Sequence, residues 1–217
     1  MDHQLDNLTA WIRQTAANSN GLLIPVSGGS DSALCFWLCN RALPGRVVGV
    51  YAGKELRSVD WFRSVGQVEF TDTPGRREER EEMRWARFLA MSLARSYWLV
   101  GSRNRTEDEL GTYSLSSRVA TFLPLINSWK SEVQRLCAAV GVPDEIIASS
   151  LRADPDCGRP PELAEISFDK VEIFLKNRAA GREPAGLTAE QVRYLDGIRN
   201  RNAFKKTLPH RGPPTTR

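Results

Sequence analysis

Between the apolar run Gly21-Leu-Leu-Ile-Pro-Val26 and a helical pattern through Leu34, Trp37, Leu38 and Ala42 lies the stretch Ser27-Gly28-Gly29-Ser30-Asp31-Ser32. Adjacent glycines let a backbone come close to a ligand and turn successive N–H groups toward an anion. The hydroxyls of Ser27, Ser30 and Ser32 add donors, and a helix starting near Asp31 aims its positive end at the same place. Phosphate binding is the chemistry this set can do. It has neither the lysine of a Walker loop nor the glycine spacing of a dinucleotide fingerprint. A carboxylate among phosphate donors repels its ligand unless a cation stands between them, so Asp31 points to Mg²⁺, which prefers carboxylate, phosphate and water oxygens. The same residue types also build plain turns and N-caps, which is the alternative for the loop taken alone.

Other chemistries lack their residues. The chain of 217 residues has two histidines, His3 and His210, one near each end. A Ser-His-Asp triad, a His-paired cysteine or a His-rich metal site is therefore not expected. Four cysteines in a chain of this length do not suggest a disulfide framework. Cys35 and Cys39, one helical turn apart, could share a metal, but two small buried residues on a core helix is the simpler reading, and Cys137 reads the same way. Cys157, in the polar loop Asp154-Pro-Asp-Cys-Gly158, stays a candidate for sulfur chemistry.

A composition of 41% hydrophobic and 26% charged residues is that of an ordinary globular protein. No apolar run approaches the roughly 18 residues a membrane helix needs, and the start Met-Asp-His-Gln-Leu-Asp-Asn has no basic, apolar leader. A cytoplasmic location, with no membrane partner, is the expectation. The net charge of +4 gathers at the end, with six Lys/Arg and no acid from Arg199 to Arg217. Such a tail can bind nucleic acid or close over a polyanionic small molecule. With no zinc-finger spacing or RNA-binding aromatic signature beside it, dedicated nucleic-acid binding is disfavoured.

The elements that must position the loop can be read from periodicity. Gly21–Val26 and Arg46–Tyr51 are short continuous apolar runs, the mark of strands buried on both faces. Val68–Thr71, Tyr97–Val100 and a weaker Val119–Leu123 bring the expected strands to five. Helical patterns are predicted from Leu5 to about Asn18, after the glycines, over Val59–Val65, from Arg76 to Arg95, from Ser128 to Val140, over Ser167–Asn177, and from Thr188 with Glu190 placed for capping. Strands alternating with helices predict an α/β domain with a doubly wound parallel sheet and helices on both faces.

At this point the sequence resembles a family. Ser-Gly-Gly-x-Asp-Ser is similar to the PP-loop of the N-type ATP pyrophosphatases, and later segments narrow the resemblance to ammonia-dependent NAD synthases. Val100-Gly-Ser-Arg-Asn-Arg-Thr-Glu107, then Leu110-Gly111, resembles that family's Gly-Thr-Gly-Asn-Lys-x-Glu…Leu-Gly. Pro124-Leu125…Lys130-Ser-Glu-Val133…Leu136, then Gly141-Val-Pro-Asp-Glu-Ile-Ile147, resembles its Pro-x-x-x-x-x-Lys-x-x-Val…Leu-Gly-x-Pro-x-x-Ile-Ile. Ile166-Ser-Phe-Asp169 and Phe204-Lys-Lys-Thr-Leu-Pro209 are similar to its Ile-x-Tyr-Asp and its closing His-Lys-Arg-x-x-Pro.

The resemblance implies an adenine nucleotide alpha-hydrolase-like fold. Residues 1–180 would form the PP-loop domain, and a helix and basic tail over 181–217 would complete it. It implies ATP as co-substrate, held by Ser27, Gly28, Gly29, Ser30, Asp31 and Ser32, with Ser102 and, loosely, Lys54 contributing. Asp31 and Glu107 would share Mg²⁺, and Lys130 would neutralise phosphate charge. Arg118, Lys205 and Lys206 would face the acceptor, deamido-NAD by default, with ammonia as nitrogen donor and a homodimer as the assembly. Departures fall in the acceptor half. Arg118 aligns with an Asp that handles ammonia, and at about 4 Å and an effective dielectric near 20 that change turns roughly 4 kcal/mol of attraction into repulsion. Arg159-Pro-Pro-Glu162 replaces Gln-x-Asp-Glu, and Phe204 replaces a His. The alternatives are a PP-loop ligase amidating or thiolating another substrate, or a nucleotide-binding subunit without chemistry.

Overall fold

The computed structural model describes residues 3–72, 80–150 and 165–207. Four parallel strands, β1 (Leu22–Pro25), β2 (Val47–Ala52), β3 (Gln67–Thr71) and β4 (Trp98–Leu99), form a sheet in the order β3-β2-β1-β4. Around it run α1 (His3–Thr15), α2 (Ser30–Ala42), α3 (Val59–Val65), α4 (Arg80–Ala94), α5 (Arg105–Leu110), α6 (Lys130–Ala139), α7 (Asp144–Ser149), α8 (Phe168–Ala179) and α9 (Ala189–Asn202). None of the described helices is long and apolar enough to cross a membrane.

Alternation along β1 sends successive side chains to opposite faces. Leu22 and Ile24 join a core with α1, α2 and α6 that includes Ile12, Phe36 and Val133, while Leu23 packs with Val48, Val50, Leu99 and Phe88 of α4 on the other side. Both faces are thus covered by helices, as the continuous apolar runs require. Each fully buried Leu or Ile contributes about 1.5–3 kcal/mol. Pro25 is tolerated for a geometric reason. The N–H groups of Leu22 and Val26 bond β2, so the Pro25 nitrogen faces β4, whose pairing with β1 stops at Leu23.

The α/β class holds, with one strand fewer than expected. The segment expected as a strand over Val119–Leu123 begins in a 3₁₀ turn, Leu115–Val119, and contributes a single parallel bridge, Val100 to Phe122. α9 is capped by Thr188, at the place the helix is expected to start, but the residue that closes its capping box is Gln191, not Glu190. A box needs the third helical residue, and Glu190 is the second. The short helices α5 and α7 have too few turns to announce themselves by periodicity.

A second core joins α5, α8 and α9 through Leu110, Trp129, Phe174, Leu175, Leu195 and Ile198. Gly111 ends α5 at φ +69°, and a Cβ there would come within 2.4 Å of Asn202 Cβ in α9. Gly141 also has positive φ (+71°) but open space around it. Gly141→Ala should therefore cost only the left-handed backbone term, about 1–2 kcal/mol, whereas Gly111→Ala should add about 1–3 kcal/mol of overpacking. Urea unfolding of the two variants side by side checks the difference.

Candidate active site

β1 is followed by β2 on one side of it in the sheet and has β4 on its other side, so the chain leaves the ends of β1 and β4 in opposite directions. That opens a crevice, the place where parallel α/β sheets bind ligands. The loop after β1 is folded on its own side chains. Ser32 Oγ accepts from Ser27 N–H at 3.1 Å and donates to the Gly29 carbonyl at 3.0 Å, while Ser27 Oγ lies 3.1 Å from Ser32 Oγ. Gly28 sits at φ +76°, in the left-handed region that favours glycine.

Three helices begin at this crevice, and each sends in a polar group. Asp31 belongs to the first turn of α2, and Lys130 is the first residue of α6. Lys130 is buried; its Nζ pairs with Asp31 Oδ2 and donates to Ser30 Oγ at 2.8 Å. Asn104, fully buried, donates from Nδ2 to Asp31 Oδ1 at 2.8 Å. Its Oδ1 accepts Glu107 N–H at 2.9 Å, and its own N–H donates to Glu107 Oε2 at 3.2 Å, a reciprocal cap on α5. Glu107 is brought so near Asp31 that burial, and then the Asp31 charge, push its pKa up to about 7 against the opposing pull of Lys130.

The structure therefore brings together Asp31, Glu107 and Lys130, which lie up to a hundred residues apart in sequence. Two neighbouring carboxylates fit a divalent cation, and the pair suits Mg²⁺, which takes one or two carboxylates and completes its shell with phosphate and water. Among the described residues no cluster of three or more potential metal ligands exists. Ser30 does not face the loop as a free donor. Its buried hydroxyl ties Lys130 to Ser150, 2.6 Å away. Ser102 is half-buried beside Asn104, and Lys54 is exposed, with no described contact to the loop.

The residues expected to face the acceptor, Arg118, Lys205 and Lys206, are engaged with the chain itself. Arg118 Nη1 donates to the Lys205 carbonyl at 2.6 Å, and Lys205 Nζ donates to the carbonyls of Gly111 and Tyr113 at 2.8 and 2.7 Å. Lys206 pairs with Glu109 at 2.7 Å. Burial, and then Arg103, lower the Lys205 pKa. Arg103 itself lies flat on the Tyr113 ring at 3.8 Å. These cations hold the last described turn, Ala203–Thr207. Cys35, Cys39 and Cys137 are buried free thiols. Cys157, Arg159–Glu162 and Pro209 lie outside the described residues. The sequence reading gave Asn104 no role, although Asn-x-x-Glu is a readable cap signature. Ser150 carries no such signal.

A family model for NAD synthase matches residues 71–209, well over half of the chain. The chain belongs to the NAD synthase family. It is thus an enzyme of a ligase family. An NH(3)-dependent NAD(+) synthetase of Methanocaldococcus jannaschii is 25% identical over 96% of each chain. The NH3-dependent NAD synthetase of Campylobacter jejuni superposes with a TM-score of 0.77 at 18% identity, covering 98% of this chain and all of the other. The NMN synthetase of Francisella tularensis does so at 0.78 and 17%, covering 98% of each. The NAD synthase match begins at the end of β3, so the loop Ser27–Ser32 precedes it, while the relative from Methanocaldococcus jannaschii covers nearly the whole chain.

One consequence of the Glu107 environment is open to measurement. A carboxyl whose pKa is about 7 folded and 4.5 in its ordinary state costs stability as pH rises from about 4.5, and the cost is complete above about 7. Glu107→Gln keeps the cap and removes that cost. Without divalent metal its melting temperature should exceed the parent's by a few degrees at pH 8, about 2–5 °C, and the gap should close toward pH 5. Thermal scans across that range check the sign.

Proposed function

We propose that the chain adenylates the carboxylate of deamido-NAD with ATP and Mg²⁺ and passes the acyl group to ammonia, giving NAD, AMP and pyrophosphate. The observation that carries the reading is the buried Lys130–Asp31 pair at the start of α2 and α6, braced by Asn104 and Glu107 beside the phosphate loop. A carboxylate does not condense with ammonia unaided, because oxide is a poor leaving group. Attack of a carboxylate oxygen on the α-phosphorus forms an acyl–phosphate bond and expels pyrophosphate. Ammonia then attacks the acyl carbon, AMP leaves with the bonding pair, and the nitrogen sheds a proton.

Lys130 supplies positive charge in a site poor in water, where a fixed ammonium stabilises charge gathering on phosphate oxygens. The Gly28 and Gly29 backbone and the start of α2 give the phosphates N–H donors. Bound between Asp31 and Glu107, Mg²⁺ would neutralise phosphate charge and polarise it for attack. Asn104 keeps Asp31 in place while capping the helix that carries Glu107. Family membership supports the homodimer, and Arg118, where relatives have an acid, leaves ammonia to enter as the neutral molecule or to be held by other groups.

The test is pyrophosphate release from ATP and Mg²⁺ with deamido-NAD, its mononucleotide counterpart or no acceptor, each with and without ammonium. The reading predicts release and NAD formation that depend on deamido-NAD. Dependence on the mononucleotide alone would move the acceptor, and release with neither would overturn the assignment. Lys130→Ala should lower the turnover by about 10²–10³-fold.

A further inference from the structure

The mechanism leaves one buried acid unused. Glu172, in the second turn of α8, is 2% exposed, a burial that acidic side chains rarely have without partners. Its partners all come from the two helix starts that build the site. Oε1 accepts Ser131 N–H at 2.9 Å, and Oε2 accepts the Ser131 hydroxyl at 2.6 Å. Oε1 also accepts the Thr106 hydroxyl at 3.3 Å, and that same oxygen of Thr106 accepts Lys130 N–H at 3.0 Å. The one basic neighbour, Lys176, stands 3.9 Å away and is half-exposed.

We infer that Glu172 is a positioning residue that sets Lys130 against the phosphate loop. The carboxylate lies against the first turn of α6, where unpaired N–H groups and the helix dipole favour an anion. Through Thr106 it also fixes the first turn of α5 to that of α6. The backbone at Lys130 and Ser131 is thereby held from α8, while the ammonium reaches Asp31 and Ser30. A lysine has four rotatable bonds and must be held within a fraction of an ångström to serve a transferring group. The second core, built from α8 with α5 and α9, thus reaches the crevice through this one carboxylate.

The inference rests on the phosphate-handling role proposed for Lys130, and its test is separable from that role. Glu172→Ala, Glu172→Gln and Thr106→Val are compared with the parent at a temperature well below the melting point of each, so that folded fraction does not enter. Pyrophosphate release gives kcat/KM for ATP, and displacement of a fluorescent ATP analogue gives the affinities for ATP and for adenosine. Glu172→Ala and Thr106→Val should lose about 10–100-fold in kcat/KM and weaken ATP while leaving adenosine unchanged, and Glu172→Gln, which can still accept the Ser131 N–H, should recover most of the loss. Equal kcat/KM and equal ATP affinity in parent and variants would overturn the inference, as would adenosine weakening in step with ATP. If Glu172→Ala does not fold, Thr106→Val carries the same comparison. A parent that releases no pyrophosphate with any acceptor would sink the functional reading, and the ATP-against-adenosine contrast would still decide on Glu172.

Discussion

A lysine and an aspartate withdrawn from water are tolerable only against each other. With side chains 7% and 16% exposed, Lys130 and Asp31 have given up most of their hydration, and removing one partner of such a pair costs about 3–5 kcal/mol because the other is stranded. The rest of the crevice is arranged to complete the pair. Ser30 takes a further Lys130 proton, Asn104 occupies the second Asp31 oxygen, and the sheet order β3-β2-β1-β4 makes the two helix starts meet. Within the crevice the pair satisfies itself; in the proposed reaction, phosphates at the loop would offer the ammonium a second anion.

Much of the fold is legible in the chain. The Ser27–Ser32 loop stands out because glycines, hydroxyls and a helix start come together in six residues, and the buried strands do so because Leu22–Ile24 and Val47–Val50 are apolar without alternation. The fifth strand failed because Val119–Leu123 has strand composition but only one residue, Phe122, within reach of the sheet edge beyond β4. Propensity speaks of surroundings a residue would suit, and tertiary geometry decides whether they exist. The bonds of Asn104 to Asp31 and of Glu172 to Ser131 were invisible for another reason. The Asn104 cap on Glu107 is local and readable, but these two contacts join residues 73 and 41 positions apart, and no local pattern encodes such distances.

The residues expected to face the acceptor make contacts of their own in this chain. Arg118 and Lys205, expected to face a substrate, are engaged with backbone carbonyls of the last described turn and of the segment after α5. These cations tie the C-terminal turn to the end of α5, and through Gly111 and Asn202 the same contact closes on α9. The crevice at the starts of α2 and α6 and the C-terminal turn are therefore held by different means: one by a buried ion pair, the other by cations capping carbonyls.

The central claim is that the carboxylate of the substrate, not water, attacks the α-phosphorus. Acceptor labelled with ¹⁸O in its carboxylate tests this directly when AMP, pyrophosphate and phosphate are separated and weighed. The account predicts one labelled oxygen in AMP and none in pyrophosphate. Label in inorganic phosphate with ADP as the nucleotide product, or AMP carrying solvent oxygen alone, would contradict it.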